Sequence, residues 1–204
     1  MPDQRPGEKP PSSVSEIAAL AKVFEAHRPR LTAMVQRRIP PALGSRVDPE
    51  DILGDAFLRA RLRWSKHDRA MSDYAWLYRI TLDCLIDAWR SANAGGRSLQ
   101  KEVPWPERSS AELGMGLVGS ITSPSEALGR NELREKIAWA VQQLKPEDRE
   151  ILGMRHFDEL SYQDAAAVLG ISQDAAMQRY ARALRRLRKL WNQIEPHDAE
   201  EPRS

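Results

Sequence analysis

From Arg179 to Lys189 the chain carries six basic residues, Arg179, Arg182, Arg185, Arg186, Arg188 and Lys189, and no acidic one. Guanidinium groups at this density bind phosphate, and Arg, like Gln173 and Gln178 just before it, can bond a base edge through two hydrogen bonds. The preceding stretch, Glu147 to Asp164, is instead rich in carboxylates. A net charge of +2 hides this split, and distribution rather than the sum decides where a polyanion binds. Catalytic chemistry finds no such footing. His27, His67, His156 and His197 are far apart with no metal spacing, and there is no Gly-rich phosphate loop or nucleophile motif. Cys84, the single cysteine, can form neither an internal disulfide nor a zinc cage. It is expected to be a small buried hydrophobe, and His156 a buried or capping residue. No enzymatic activity, cofactor or metal is expected.

The elements that must present the basic stripe are legible just upstream. Ser161 to Asp164 has the form of a capping box opening a short helix that ends at Leu169. Gly170 supplies a left-handed turn, Ile171 a core plug, and Ser172 the cap of a second helix. Helix, glycine-containing turn, helix is the helix-turn-helix pattern. Ala176, Tyr180, Leu184, Leu187 and Trp191 form the buried stripe of the second helix, leaving Ser172, Gln173, Gln178, Arg179, Arg182 and Arg186 as DNA-facing candidates. A basic face alone fits an ordinary solvated helix equally well. Placed directly after this turn, it fits DNA binding better.

The rest of the chain reads as helical. With 204 residues, 41% of them apolar, there is material for one or two small domains, and no run approaches the roughly 20 apolar residues of a membrane span. No secretory signal opens the chain, so a cytoplasmic location is expected. A proline-rich tail is followed by a helix from Ile17 that carries Leu31, Met34, Val35 and Arg38 on one face and ends at Pro40-Pro41. Asp48-Pro49-Glu50-Asp51 starts a second helix with Leu53, Phe57, Ala60 and Trp64 on a stripe. A third runs from about Ser72-Asp73 to Arg90 through Tyr78, Leu82, Leu85 and Trp89. Residues 91–125, with repeated Gly and Pro, read as irregular. Ser123-Pro124-Ser125-Glu126 then opens another helix, striped by Leu133, Ile137, Ala140, Val141 and Leu144. The fold expected is all-α, two small helical domains joined by a flexible linker: tail 1–16, first domain 17–91, linker 92–123, second domain 124–194, tail 195–204.

The segment LKPEDREILGMRHFDELSYQDAAAVLGISQDAAMQRYARALRRLRKLW resembles region 4 of the extracytoplasmic-function (group IV) sigma factors. DPEDILGDAFLRARLRW, followed by YAWLYRITLDCLIDAWR, resembles region 2 of the same family, in the family's order. The resemblance covers roughly residues 20 to 192. It implies a promoter-specificity subunit whose partners are RNA polymerase core, promoter DNA and an anti-sigma factor. Region 2 would bind the polymerase clamp helices and open the −10 element, and region 4 would read the −35 element. The matching clamp positions are Asp51, Asp55, Phe57, Leu58 and Arg59. Candidates for −10 DNA are Lys66, His67, Arg69, Tyr74, Trp76 and Arg79, with Arg63 beside them, and the loop from Ser65 to Ser72 is expected to hold a flipped base.

Three departures from the family pattern stand out. Leu82-Asp83 replaces a frequent Arg-Asn, Gly54 a common Gln, and Met177 a frequent Lys. A carboxylate in place of a neutral side chain at the −10 face weakens phosphate contact and alters sequence preference. Two rival readings are an operator-binding helix-turn-helix regulator that never joins polymerase and an α-helical protein that sequesters other factors. The helix beginning at DPED argues against the first, the Arg-lined helix against the second.

Overall fold

In a computed structural model the described residues are 14–39, 47–67, 70–92, 105–121 and 130–194. Among them are eight α-helices and one 3-10 turn, with no strand. The first three are α1 (Val14–Arg38), α2 (Pro49–Arg63) and α3 (Asp73–Ala92), and the turn Trp64–Lys66 closes α2. Asp48 takes extended backbone angles and its carboxylate accepts from the Glu50 amide at 2.9 Å, satisfying an N–H that the first turn of α2 leaves free. Leu20, Phe24, Leu31, Met34 and Val35 of α1 meet Ile52, Leu53, Ala56 and Ala60 of α2 and Leu77, Tyr78 and Leu85 of α3 in one buried cluster. Each large side chain removed from water there contributes about 1.5–3 kcal/mol. Pro29 is accommodated inside α1, which ends at Arg38 as its sequence predicts, and starts at Val14, inside the expected tail.

The second half holds α4 (Glu107–Ile121), α5 (Arg130–Gln142), α6 (Pro146–His156), α7 (Tyr162–Leu169) and α8 (Gln173–Ile194). The stripe Leu133, Ile137, Ala140, Val141 and Leu144 is buried as its spacing requires. The helix start expected at Ser123 to Glu126, most of the N-terminal tail and the C-terminal tail lie outside the described residues.

The reading of 91–125 as irregular is corrected over 107–121, which form α4. The glycines that suggested a loop are close-approach positions in a helix. A Cβ on Gly114 would overlap Ile137 of α5, and one on Gly116 would overlap the His156 ring. Tertiary packing outweighs the roughly 1 kcal/mol helix penalty of each glycine. Trp105, just before α4, fills a similar notch at Gly153 of α6 and donates its indole N–H to Glu150 at 2.6 Å. His156 ends α6 exposed, neither buried nor capping. Cys84 is buried, as expected, and burial pushes its thiol pKa up to about 11.

The two halves pack against each other, α3 against α7, within one continuous core cluster. Their seam is charged. The Asp158 carboxylate, in the turn from α6 to α7, is enclosed by Arg37, Arg38 and Tyr78 of α1 and α3. Arg38, on the same face of α1 as Leu31, Met34 and Val35, has its whole guanidinium inside, 1% exposed.

Candidate nucleic-acid interface

The helix-turn-helix forms by the chemistry its residues suggest. The Ser161 hydroxyl accepts from the Asp164 amide at 3.0 Å, Gly170 ends α7 at φ 66°, ψ 35°, and Ser172 accepts from the Ala175 amide at 3.2 Å to open α8. Ala165 and Ala166 are buried at the crossing of α7 and α8, where small side chains permit close approach. Ala176, Ala183, Leu187 and Trp191 bury one side of α8. Gln178, Arg182, Arg185 and Lys189 then point the other way into solvent, with Ser172, Gln173 and Met177 exposed near its start. Arg179 is half-buried on the flank. Arg186 reaches back to Asp148 at the start of α6, 2.5 Å away, so its charge is neutralised within the protein. Arg185 and Lys189 occupy the solvent face more squarely than Arg179 or Arg186; helical angle from the buried stripe was the available signal.

On the first unit a groove of about 540 Å³ runs between α2 and α3, lined by Arg59, Arg63, Trp76, Arg79, Asp83, Asp87 and Arg90 among others. Four guanidiniums and an indole in one groove suit a single strand, with backbone charge neutralised and a ring face for a base. Of the predicted −10 residues, Trp76 and Arg79 line it. Lys66 is exposed at the end of the 3-10 turn, and Arg69 lies outside the described residues. His67 is not free to hold a base. Its Nε2 lies 2.8 Å from Asp73 Oδ1 and its ring stacks on Trp76 with centroids 4.4 Å apart, so it buttresses the indole. Tyr74 is not presented to the groove: it is 5% exposed, covered by the Arg30 guanidinium 3.8 Å from its ring centroid, and its pKa is pushed up to about 12 by burial. Its position on α3 faces α1, a neighbour that its sequence context does not reveal. Asp83 lies among the arginines, and burial raises its pKa despite Arg79 and Arg63.

The positions matched to the polymerase clamp separate in the same way. Asp51, Asp55 and Leu58 are exposed along one face of α2, with Leu58 55% exposed. Leu62 continues that stripe one turn on and was missed, although its i+4 spacing from Leu58 signals it. Phe57 turns inward, edge-on to Phe24 at 5.3 Å. Arg59 belongs to the groove and pairs with Asp87 at 2.8 Å. Neither side chain lies on the exposed stripe. Gly54 sits on that stripe side with open space around it.

Two family models match the two units. Sigma-70 region 2 matches residues 23–94, and Sigma-70, region 4 matches residues 140–189. The chain belongs to the sigma-70 factors. It is similar to the RNA polymerase sigma-E factor of Streptomyces antibioticus, 29% identical over 74% of this chain and 76% of that protein. The ECF RNA polymerase sigma-E factor of Escherichia coli is 25% identical over 69% of each chain. Among solved structures, CnrH in complex with the cytosolic domain of CnrY aligns with a TM-score of 0.53 at 22% identity, over 88% of this chain and 94% of that one, a likeness of fold. As a sigma factor the protein is not an enzyme; it directs RNA polymerase core in transcription initiation. Both rival readings, the operator-binding regulator and the sequestering protein, fall with this membership. No described helix is long and apolar enough to cross a membrane.

Proposed function

We propose that the Asp51, Asp55, Leu58 and Leu62 stripe of α2 is the polymerase clamp contact, and that the α2–α3 groove, with Trp76, Arg79 and Arg63, holds the −10 strand. The exposed side chains Ser172, Gln173, Gln178, Arg182 and Arg185 read −35 DNA, with Arg179 at the edge. The observation carrying this is the exposure of acidic and apolar side chains along one face of α2, which a DNA-only regulator has no physical reason to keep in water. Residues 17–91 and 124–194 are the working units, and the protein acts in the cytoplasm. An anti-sigma partner is supported by the likeness in fold to CnrH, which was solved with CnrY.

Core polymerase pull-down and run-off transcription test the reading. Leu58→Asp is expected to lose core binding while keeping its melting transition, whereas Arg182→Ala keeps core binding and loses transcription. Core capture that survives Leu58→Asp together with Leu62→Asp refutes the clamp assignment.

A further inference from the structure

The α2–α3 groove carries two carboxylates among its arginines, and only one of them is used within the protein. Asp87 pairs with Arg59 at 2.8 Å and with Arg90 at 3.9 Å. Asp83, one turn earlier on α3, is exposed on the groove wall and makes no hydrogen bond or ion pair among the described residues. Desolvation by the groove walls raises its pKa, while Arg79 of its own helix and Arg63 of α2 lower it. Asp87 adds to the rise and Arg59 opposes it, so these four groups face Asp83 without bonding it. Its neighbour Leu82 lines a different cavity, together with Trp105 and Leu169, so the acid and not the leucine is offered to the groove. A free carboxylate in a groove otherwise built for a polyanion repels phosphate. Charge balance alone would place it in an ion pair, as it does Asp87.

We infer that Asp83 is a specificity-determining residue: its carboxylate accepts from the Watson–Crick edge of one unpaired guanine in the −10 strand. This rests on the groove holding that strand. Ionised Asp offers two acceptor oxygens and no donor. On that edge guanine alone presents two adjacent donors, N1–H and N2–H, one for each oxygen. Adenine and cytosine set a ring-nitrogen acceptor beside their amino donor, and thymine flanks its single N–H with two carbonyls. Each of these three turns at least one acceptor against the carboxylate, and an unpaired buried acceptor is penalised more heavily than a made bond is rewarded. The Watson–Crick edge is hidden inside a duplex, so Asp83 discriminates only after the strands separate.

Position along α3 favours a base at this point. Trp76 and Asp83 both line the groove, seven residues apart, which is two helical turns or about 10 Å. A base stacked on the indole and a base bonded by Asp83 are therefore different nucleotides, up to about three apart at 3.4 Å per stacked base. Arg79 lies between the two along the helix, and Arg63 comes from α2. Their guanidiniums suit the sugar–phosphate backbone, which leaves the carboxylate to a base edge.

The test uses holoenzyme assembled from polymerase core and the full chain, on a promoter it transcribes, with the −10 segment randomised and each variant marked by a transcribed barcode. The parent is expected to prefer guanine at one −10 position by at least about fivefold. Asp83→Asn keeps the size and removes the charge, and its amide sets a donor beside an acceptor, the pattern that adenine and cytosine match. It should move the preference at that one position from guanine to adenine or cytosine. A mere gain in phosphate affinity would instead raise all sequences alike. On a template pre-melted across −10, replacing that guanine by inosine removes the N2 amine and should lower transcription by the parent but not by Asp83→Asn. Circular dichroism checks folding, and Asp83→Ala, which should lose the guanine preference without gaining another, decides if the Asn variant loses helix content. A folded Asp83→Asn with the parent's base preferences overturns the assignment, as does a parent indifferent to guanine throughout −10. Arg79→Ala judges the groove separately. If it loses −10-dependent transcription while Asp83→Asn changes nothing, the groove stands and the guanine contact falls. If Arg79→Ala is silent while Asp83→Asn switches one position, the groove assignment falls and the guanine contact stands.

Discussion

Arg182→Ala and Arg186→Ala should behave differently although the two arginines sit one turn apart on the same helix. Arg182 is exposed on the side of α8 turned away from Ala183, Leu187 and Trp191. Arg186 is 2.5 Å from Asp148, with side chains 46% and 11% exposed. A charge-assisted bond that buried on one side and open on the other contributes about 1 kcal/mol, between the value of a surface pair and that of an enclosed one. Arg186→Ala should therefore lower Tm by about 2–4 °C, whereas Arg182→Ala should stay within about 0.5 kcal/mol of the parent. DNA binding should reverse the order. Each neutralised phosphate contributes about −0.9 to the slope of log K against log salt. With about five phosphates contacted, the parent slope is roughly −4 to −5. Arg182→Ala should flatten that slope by about 0.9, and Arg186→Ala by clearly less. The assay is fluorescence anisotropy of the full chain on a labelled random-sequence duplex from about 50 to 200 mM salt, paired with a thermal melt. If Arg186→Ala flattens the slope as much as Arg182→Ala and leaves the melt unchanged, the division of α8 into a DNA face and a packing flank is wrong.

Further outcomes follow from single environments. Gly170→Ala should cost about 1–2 kcal/mol in denaturant unfolding with an unchanged m-value, because φ is 66° there and no atom lies near enough for a methyl to clash. Gly54→Ala, in open space inside α2, should stabilise by about 1 kcal/mol. Cys84, with its pKa raised to about 11 by burial, should resist a disulfide-exchange reagent at neutral pH until the protein is unfolded. His27 has its pKa lowered by burial and by Arg30, against an opposing effect of Asp73. Its neutral form is favoured in the folded state, so the native protein binds fewer protons; the associated stability is present above the unfolded value of about 6.5 and declines as pH falls through it. His27→Gln should flatten that part of the stability–pH curve.

Local grammar was fully legible. Asp48 before Pro49, Ser161 with Asp164, Gly170 and Ser172 act within a few residues of their own positions, so the chain alone dictates where α2, α7 and α8 begin or end. Burial stripes with helical spacing, such as Leu133, Ile137 and Val141, were legible for the same reason. The loop reading of 107–121 failed because Gly114 and Gly116 are chosen by Ile137 and His156, residues more than 20 and 39 positions away in the sequence.

At the candidate sites the sequence identified the chemistry, and tertiary structure selected which side chains can perform it. Trp76, Arg79, Asp55, Leu58, Gln178 and Arg182 stay available. Tyr74, Phe57, His67 and Arg186 are consumed by neighbours on other elements, through Arg30, Phe24, the Trp76 stack and Asp148. Composition and spacing determine that this chain is helical, carries a DNA-reading helix and pairs it with a second helical unit, because those properties depend on periodicity along one strand of residues. That Arg37, Arg38 and Tyr78 enclose Asp158, some 80 to 121 positions distant, was decided only in three dimensions. A buried charge is tolerable solely where an opposite one arrives from elsewhere in the chain, and no local pattern encodes that arrival.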